Sequence, residues 1–175
     1  GDDGHVKEVK NRTRLDSHKL IEEFMVLANV AAGNAIESQE LAGVFRIHES
    51  PSAEKIEDLK KFLQTLSYSI PTGPTAQHFN RILSKAKDQP EAVLISTSVL
   101  RSQMQAYYSP ANVGHFGLGL EQYAHFTSPI RRYADLVVHR AIISLLEDTM
   151  DEAPDKEQLN SIADHISTTE RNSMM

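Results

Sequence analysis

Cysteine is missing from this 175-residue chain. Its absence excludes disulfides and every thiolate metal site. It fits a reducing compartment, and a cytoplasmic location is the expectation. No apolar run approaches the roughly 20 residues that cross a bilayer, and no signal-like leader opens the chain, so no membrane partner is read. An excess of positive charge is also lacking. The formal net charge is -6, which excludes a blanket-basic nucleic-acid coat. A nucleic acid would have to be gripped locally, by a few placed cations. Internal repeats and low-complexity linkers are absent as well. What remains is an ordinary globular composition, long enough for one sizeable core.

The elements read as α+β, dominated by helices. "HVKEVKNRTR" alternates valine with charge and suggests a half-exposed strand. "LDSHKLIEEFMVLANVAAGNAIES" follows as a helix, with Ser17 as its cap and a broad apolar face from Leu20, Ile21, Phe24, Val26, Leu27, Ala28, Ala31 and Ala32. A short strand, Val44 to Ile47, ends before Pro51. Ser52 caps a surface helix striped by Ile56, Leu59, Phe62 and Leu63. "AQHFNRILSKAK" and "QPEAVLISTSVLRSQMQA" are two more helices, the second with Pro90 in its first turn. "YYSPANVGHFGLGLEQYAHFT" is aromatic and glycine-rich, with strand-like pieces. Helices over "SPIRRYADLVVHRAIISLLED" and "DKEQLNSIADHISTTERNS" complete the chain. The first strand lacks a hairpin partner and the last helix lacks a stop signal, so residues 1–175 are expected to be one domain cut at both ends.

The stretch from His115 to Arg140 sets arginines, histidines and an aspartate among apolar residues. Ser128-Pro129 reads as a helix opening: proline suits the first helical position, and Thr127 or Ser128 offers a capping oxygen. Backbone N–H groups near Ile130, Arg131 and Arg132 would then face outward from the positive end of the helix dipole, which attracts anions. Arg131, Asp135 and His139 stand at i, i+4 and i+8, with Arg132 three residues before Asp135. Ile130, Tyr133, Ala134, Val137, Val138, Ala141, Ile142, Leu145 and Leu146 make this helix apolar around much of its circumference, predicting burial. Two readings follow. Asp135 holds one arginine rigid while the other faces a phosphate, or an Arg–Asp–His network merely ties the helix to its neighbours. Arg132 and His139 fit the tie better; Arg131 is assigned to the phosphate. Glu22 suits either a nucleic-acid contact or a structural role, in capping or in an exposed pair with Lys19, and Asn29 beside it is a weaker candidate. His115 and His125 could donate to a nucleic acid or to backbone carbonyls. Tyr107, Tyr108, Phe116 and Tyr123 could stack on bases but suit a core. The histidines form no zinc-type set.

Those same residues carry a resemblance. His115, Phe116, Gly117 and Leu118, then Tyr123, then Phe126, Thr127, Ser128, Pro129, Ile130, Arg131, Arg132 and Tyr133, then Asp135 and His139, resemble the signature of the ribonuclease II / ribonuclease R family, the RNB domain. "LIEEFMVLANVAAG", "VFRIHESP" and "LRSQMQAYYSP" are similar to other family segments, so the likeness runs along nearly the whole chain. Its wording is closer to the ribonuclease R branch. The resemblance implies the C-terminal part of an RNB catalytic domain, with a small, partly truncated sheet. It also implies processive 3′→5′ hydrolysis of single-stranded RNA to 5′-nucleotides with Mg²⁺. By it, Arg131 is the catalytic phosphate contact. Glu22, Ser128, Arg132 and His125 are candidate RNA-binding residues, and Asp135 and His139 form the supporting network.

The family's metal-binding aspartates are expected upstream of Gly1, since "GDDG" lacks the further spaced acids that converge on Mg²⁺. No metal ligand is assigned here, and this piece alone is expected to be inactive. The rival expectation is a non-catalytic RNA-binding or scaffolding protein on the same frame. Exposed edges could also drive self-association of the piece.

Overall fold

The computed structural model describes residues 13–149 and 153–173. The strand expected over "HVKEVKNRTR" lies almost wholly outside them. The elements run α1 (Asp16–Ser38), β1 (Phe45–Ile47), α2 (Ala53–Thr65), α3 (Ala76–Ala86), α4 (Ala92–Ser102), β2 (Tyr107–Ser109), a 3₁₀ turn (Phe116–Leu118), α5 (Tyr133–Leu146) and α6 (Lys156–Ser173). β1 and β2 pair antiparallel, with Phe45 opposite Ser109, Arg46 opposite Tyr108 and Ile47 opposite Tyr107. This two-stranded sheet and six helices bear out the helix-dominated α+β expectation.

Two apolar cores divide the molecule. The first joins α1, the sheet, α5 and α6 around Ile36, Val44, Ile47, Val138 and Ile166. The second is built by α2, α3 and α4 from Leu59, Leu63, Phe79, Ile82, Ile95 and Val99. Leu63, Ile95 and Ile47 are completely inaccessible, and full burial of such a side chain stabilises by about 1.5–3 kcal/mol. The stripe expected on α2 is the one that packs. Ser52 caps that helix as expected, its Oγ accepting from the Lys55 N–H at 3.3 Å.

Four local expectations need correction. Ser17 does not cap α1; it lies inside the helix, and the Leu15 N–H instead donates to His18 Nδ1 at 3.1 Å. The predicted apolar face of α1 is not its packing face throughout, because Leu20, Ile21, Phe24 and Leu27 are more than half exposed. The side chains that pack are Asn29, Ala32 and Ile36, together with Gly33, towards the helix C-terminus. "HFGL" is a 3₁₀ turn beside two isolated bridges, not a strand. The fourth correction concerns the serine-proline step and decides the geometry of the site.

Candidate nucleic-acid interface

Helix α5 begins at Tyr133, not at Pro129. Ser128 to Arg131 form a separate turn, in which the Ser128 carbonyl accepts from the Arg131 and Arg132 N–H groups at 3.3 and 3.2 Å. Arg132 takes an extended conformation as the last residue before the helix. The physical reason is Asp135. Its carboxylate accepts from the Ser128 backbone N–H at 2.7 Å, and from Arg132 Nε at 2.7 Å and Nη2 at 2.9 Å. A straight helix from Pro129 would aim these donors elsewhere. The folded-back turn brings them all onto one buried carboxylate.

Burial alone would raise the Asp135 carboxyl, but the Arg132 and Ser128 hydrogen bonds outweigh it and hold its pKa below the usual carboxylate range. Burial correspondingly lowers Arg132, and Asp135 more than compensates, raising it above the ordinary arginine value. The pair is therefore a locked ion pair with bidentate geometry. Arg132 is a structural clamp here, in line with the tie reading of its spacing. Arg131 is its opposite. It is exposed, and its guanidinium has no hydrogen-bond partner among the described residues.

The loop ahead of the turn is tied from two helices. On α1, Asn29 Oδ1 accepts from the Phe126 and Thr127 N–H groups at 2.9 and 3.2 Å, and Asn29 Nδ2 donates to the Tyr123 hydroxyl at 3.0 Å. One helical turn on, Gly33 lets the loop lie directly against α1. A Cβ there would stand 3.1 Å from the Tyr123 nitrogen and 3.2 Å from the Gln122 carbonyl carbon. On α5, His139 Nε2 donates to the Phe126 carbonyl at 2.8 Å, and its ring stacks on Phe126 at 4.1 Å. His139 is thus part of the supporting network. Thr127 Oγ1 is the exception: among the described residues it is the buried side-chain polar atom left without a partner.

His125 is half-buried, with Nδ1 2.8 Å from the Tyr108 hydroxyl. Burial, then the nearby Arg132 and Arg46 cations, lower its pKa to about 3. It is a neutral ring under the influence of two guanidiniums. Tyr108 is pushed up to about 12, chiefly by burial, while Arg46 lies over its ring at 4.6 Å and pairs with Glu170 of α6 at 2.6 Å. Tyr108 and Tyr123 are core residues, as their alternative reading held. Glu22 stands on the exposed part of α1, paired with Arg14 rather than Lys19, which binds Asp16 at 2.9 Å.

Sequence reasoning ranked Asn29 below Glu22, yet Asn29 is the α1 residue that grips the motif loop. The available signal was an asparagine and a glycine four residues apart inside a helix, where both are unfavourable unless packing requires them. It also passed over Arg140, whose guanidinium lies 5.7 Å from the centre of the Tyr133 ring on the outward face of α5. Tyr133 and Arg140 line a cavity of about 420 Å³ between α5 and α6. Arg131 on the turn and the Arg140–Tyr133 pair on α5 are all exposed. That combination can neutralise a phosphate and support a base. The expected burial of α5 holds for one face, with Ala134, Val137, Val138 and Ala141 buried, but not for Tyr133 and Leu146, which are exposed, nor for Ile130, which lies ahead of the helix and is also exposed.

Among the described residues no three His, Asp or Glu side chains are grouped to hold a metal ion. Asp135, at the turn, already accepts three hydrogen bonds from Arg132 and Ser128. These residues do not fit a Mg²⁺ site. No described helix is long and apolar enough to cross a membrane.

Comparison with known proteins agrees with this architecture. Residues 1–148 match the RNB domain. Ribonuclease R of Escherichia coli is 46% identical over 143 residues, which cover 81% of this chain and 18% of that protein. The structure of Mycoplasma genitalium RNase R in complex with double-stranded RNA superposes with a TM-score of 0.81 at 29% identity, over 91% of this chain and 30% of that one. Yeast Ssd1, a pseudonuclease, superposes with a TM-score of 0.77 at 28% identity, over 88% of this chain and 20% of its own. The chain therefore spans under a third of the length of these relatives. On the match over residues 1–148 and the identity to ribonuclease R, this chain belongs to the RNB domain family.

Proposed function

We propose that this chain is the phosphate-gripping part of a ribonuclease R-like 3′→5′ exoribonuclease that hydrolyses single-stranded RNA to 5′-nucleotides in the cytoplasm. The observation that carries the reading is the division of labour between adjacent arginines. Asp135 holds Arg132 and the Ser128 amide, and Arg131 on the same turn has no hydrogen-bond partner among the described residues. A cation held this way meets a phosphodiester without first having to be ordered, which is the condition for electrostatic stabilisation of developing charge. Its guanidinium can bind two phosphate oxygens through parallel N–H donors and neutralise the charge that grows on them as the bond to the leaving oxygen lengthens.

Mg²⁺, if bound, would supply the activated water; among the described residues no group of carboxylates is arranged to hold it. What these residues supply is the grip, not the nucleophile. Arg131 binds and orients, and Asp135, Asn29 and His139 hold the turn. Glu22, Ser128 and His125 remain RNA-contact candidates. Glu22 is exposed, whereas Ser128 and His125 are half-buried.

The test uses the longer protein. Arg131→Ala should lower kcat on labelled single-stranded RNA by about 100-fold, with a much smaller loss of RNA affinity. Unchanged turnover removes Arg131 from the reaction. Residues 1–175 alone, given Mg²⁺ and the same RNA, should release no nucleotides. A second reading, an RNA-binding protein without catalysis, draws on the likeness to a pseudonuclease. It predicts that the longer protein retains RNA but never shortens it.

A further inference from the structure

Ahead of the motif loop in the chain, a depression of about 610 Å³ is lined by Thr75 and Ala76 at the start of α3, His48 and Ser50 just after β1, and residues 112–116 and 119–122. It is large enough for a nucleoside. Its lining contains no lysine or arginine, so it is not a phosphate seat. It offers the Asn112 and Gln122 amides, the Glu121 carboxylate and the rings of His48, His115 and Phe116. Asn112 Oδ1 accepts from the Gly114 N–H at 2.9 Å, which leaves the Asn112 Nδ2 donors without a partner among the described residues. The Gln122 amide and the Glu121 carboxylate likewise have none.

The rings are fixed before any ligand arrives. His48 uses both its nitrogens: Nδ1 accepts from the Gly117 N–H at 2.7 Å and Nε2 donates to the Met104 carbonyl at 2.8 Å. It also stands 5.1 Å from the His115 ring. His115 Nδ1 accepts from the Leu118 N–H at 3.2 Å, so its Nε2 is the ring's donor. Burial, then His48, holds the His115 pKa to about 4, and the ring is uncharged at neutral pH. Phe116 is braced edge-on against Phe79 at 5.7 Å. Gly114 and Gly119, at φ +83° and +67°, allow the loop to double back here, where a side chain would be strained.

From this arrangement we infer that the depression bounded by Asn112, His115, Phe116, Glu121 and Gln122 binds one unpaired nucleobase. The side-chain amides and the carboxylate read its hydrogen-bonding edge. Asparagine and glutamine pair bidentately with adenine, and a carboxylate accepts from an exocyclic amino group, so adenine and cytosine are favoured over uracil. Residues 120–122 lead directly into Tyr123, which Asn29 ties to the phosphate turn. A base held here thus belongs to a strand that the same loop grips at its backbone. In that respect the inference deepens the RNA reading and rests on it.

Free nucleosides separate the two, because they carry no phosphate. Adenosine titrated into the 175-residue chain should give saturation-transfer NMR signals from its base protons. Those signals should vanish in Gln122→Ala and in Asn112→Asp, the latter keeping the oxygen that Gly114 needs. They should persist in Arg131→Ala and be unaffected by inorganic phosphate. With short labelled oligo(A), the same two pocket variants should weaken binding about tenfold without changing its salt dependence, whereas Arg131→Ala should reduce the salt slope by about one. Adenosine signals that are absent from the wild-type chain, or survive both pocket variants, overturn the base site and leave the phosphate reading standing. Adenosine bound as described, with an Arg131→Ala salt slope equal to wild type, overturns the phosphate reading alone.

Discussion

The motif loop, residues 123–132, and the three-helix unit α2–α4 hold their shape by different means. The unit depends on apolar burial: Leu59, Leu63, Ile95 and Val99 interlock, and polar side chains contribute caps at its margins. The loop has almost no regular structure. It is held by side chains that bond to its backbone: Asn29 to two amides, Asp135 to one, and His139 to a carbonyl. Burial tolerates modest rearrangement because it has no direction, whereas a hydrogen-bonded loop is either registered or lost. A surface that must present one cation at a defined place is better served by the second method.

The widest gap between the regions should appear in Asp135→Ala. Removing that carboxylate leaves the Arg132 guanidinium and the Ser128 amide in a half-buried place without their acceptor. Breaking such a pair costs about 3–5 kcal/mol. Chemical denaturation should report a loss of that size. Hydrogen exchange should show the Phe126, Thr127 and Ser128 amides opening well before the α2–α4 amides. Leu63→Ala, in the other region, should cost about 3 kcal/mol through its cavity. Protection at Phe126 to Ser128 should stay at the wild-type level. If Leu63→Ala opens the loop as readily as Asp135→Ala does, the two regions are one cooperative unit and the contrast fails.

The two regions also differ in how far they could be read from sequence. The stripe Ile56, Leu59, Phe62 and Leu63 names the packing face of α2 correctly, because an apolar period of 3–4 residues is a local property. At the loop, local rules misled. Ser128-Pro129 obeys the rule for a helix start, and the helix nevertheless begins at Tyr133, since one carboxylate seven residues downstream captures the Ser128 amide. The pairing of Arg132 with Asp135 was within reach of spacing. The Asn29 contact was not, because 97 residues separate it from the Phe126 amide it binds. The exposed Leu20, Phe24 and Leu27 misled in the other direction: amphipathic spacing shows which side chains share a face, not whether anything covers it.

The smallest expected effect concerns pH, and it sharpens the contrast. His125 is faced by Tyr108 from β2, Arg46 from β1, Arg132 and Asp135 from the start of α5, and His115 from its own loop. Its folded pKa, about 3, lies below the ordinary value near 6.5. The unfolded chain therefore binds more protons between these values, and stability falls as pH drops from about 6.5 towards 3. His115, held at about 4, acts in the same direction. Carboxylates with lowered values, such as Asp135, subtract stability only at more acid pH, below their unfolded value near 4. His125→Gln keeps a group that can bond Tyr108 but cannot take up the proton. Between pH 6.5 and 5 it should lose less stability than the wild type, by on the order of 1 kcal/mol. Leu63 packs among apolar side chains in the α2–α4 core, so Leu63→Ala should keep the full wild-type slope over the same range. Parallel slopes in wild type and His125→Gln would mean that this ring takes up a proton without disturbing the loop, and the loop's dependence on registered polar contacts would then exclude His125.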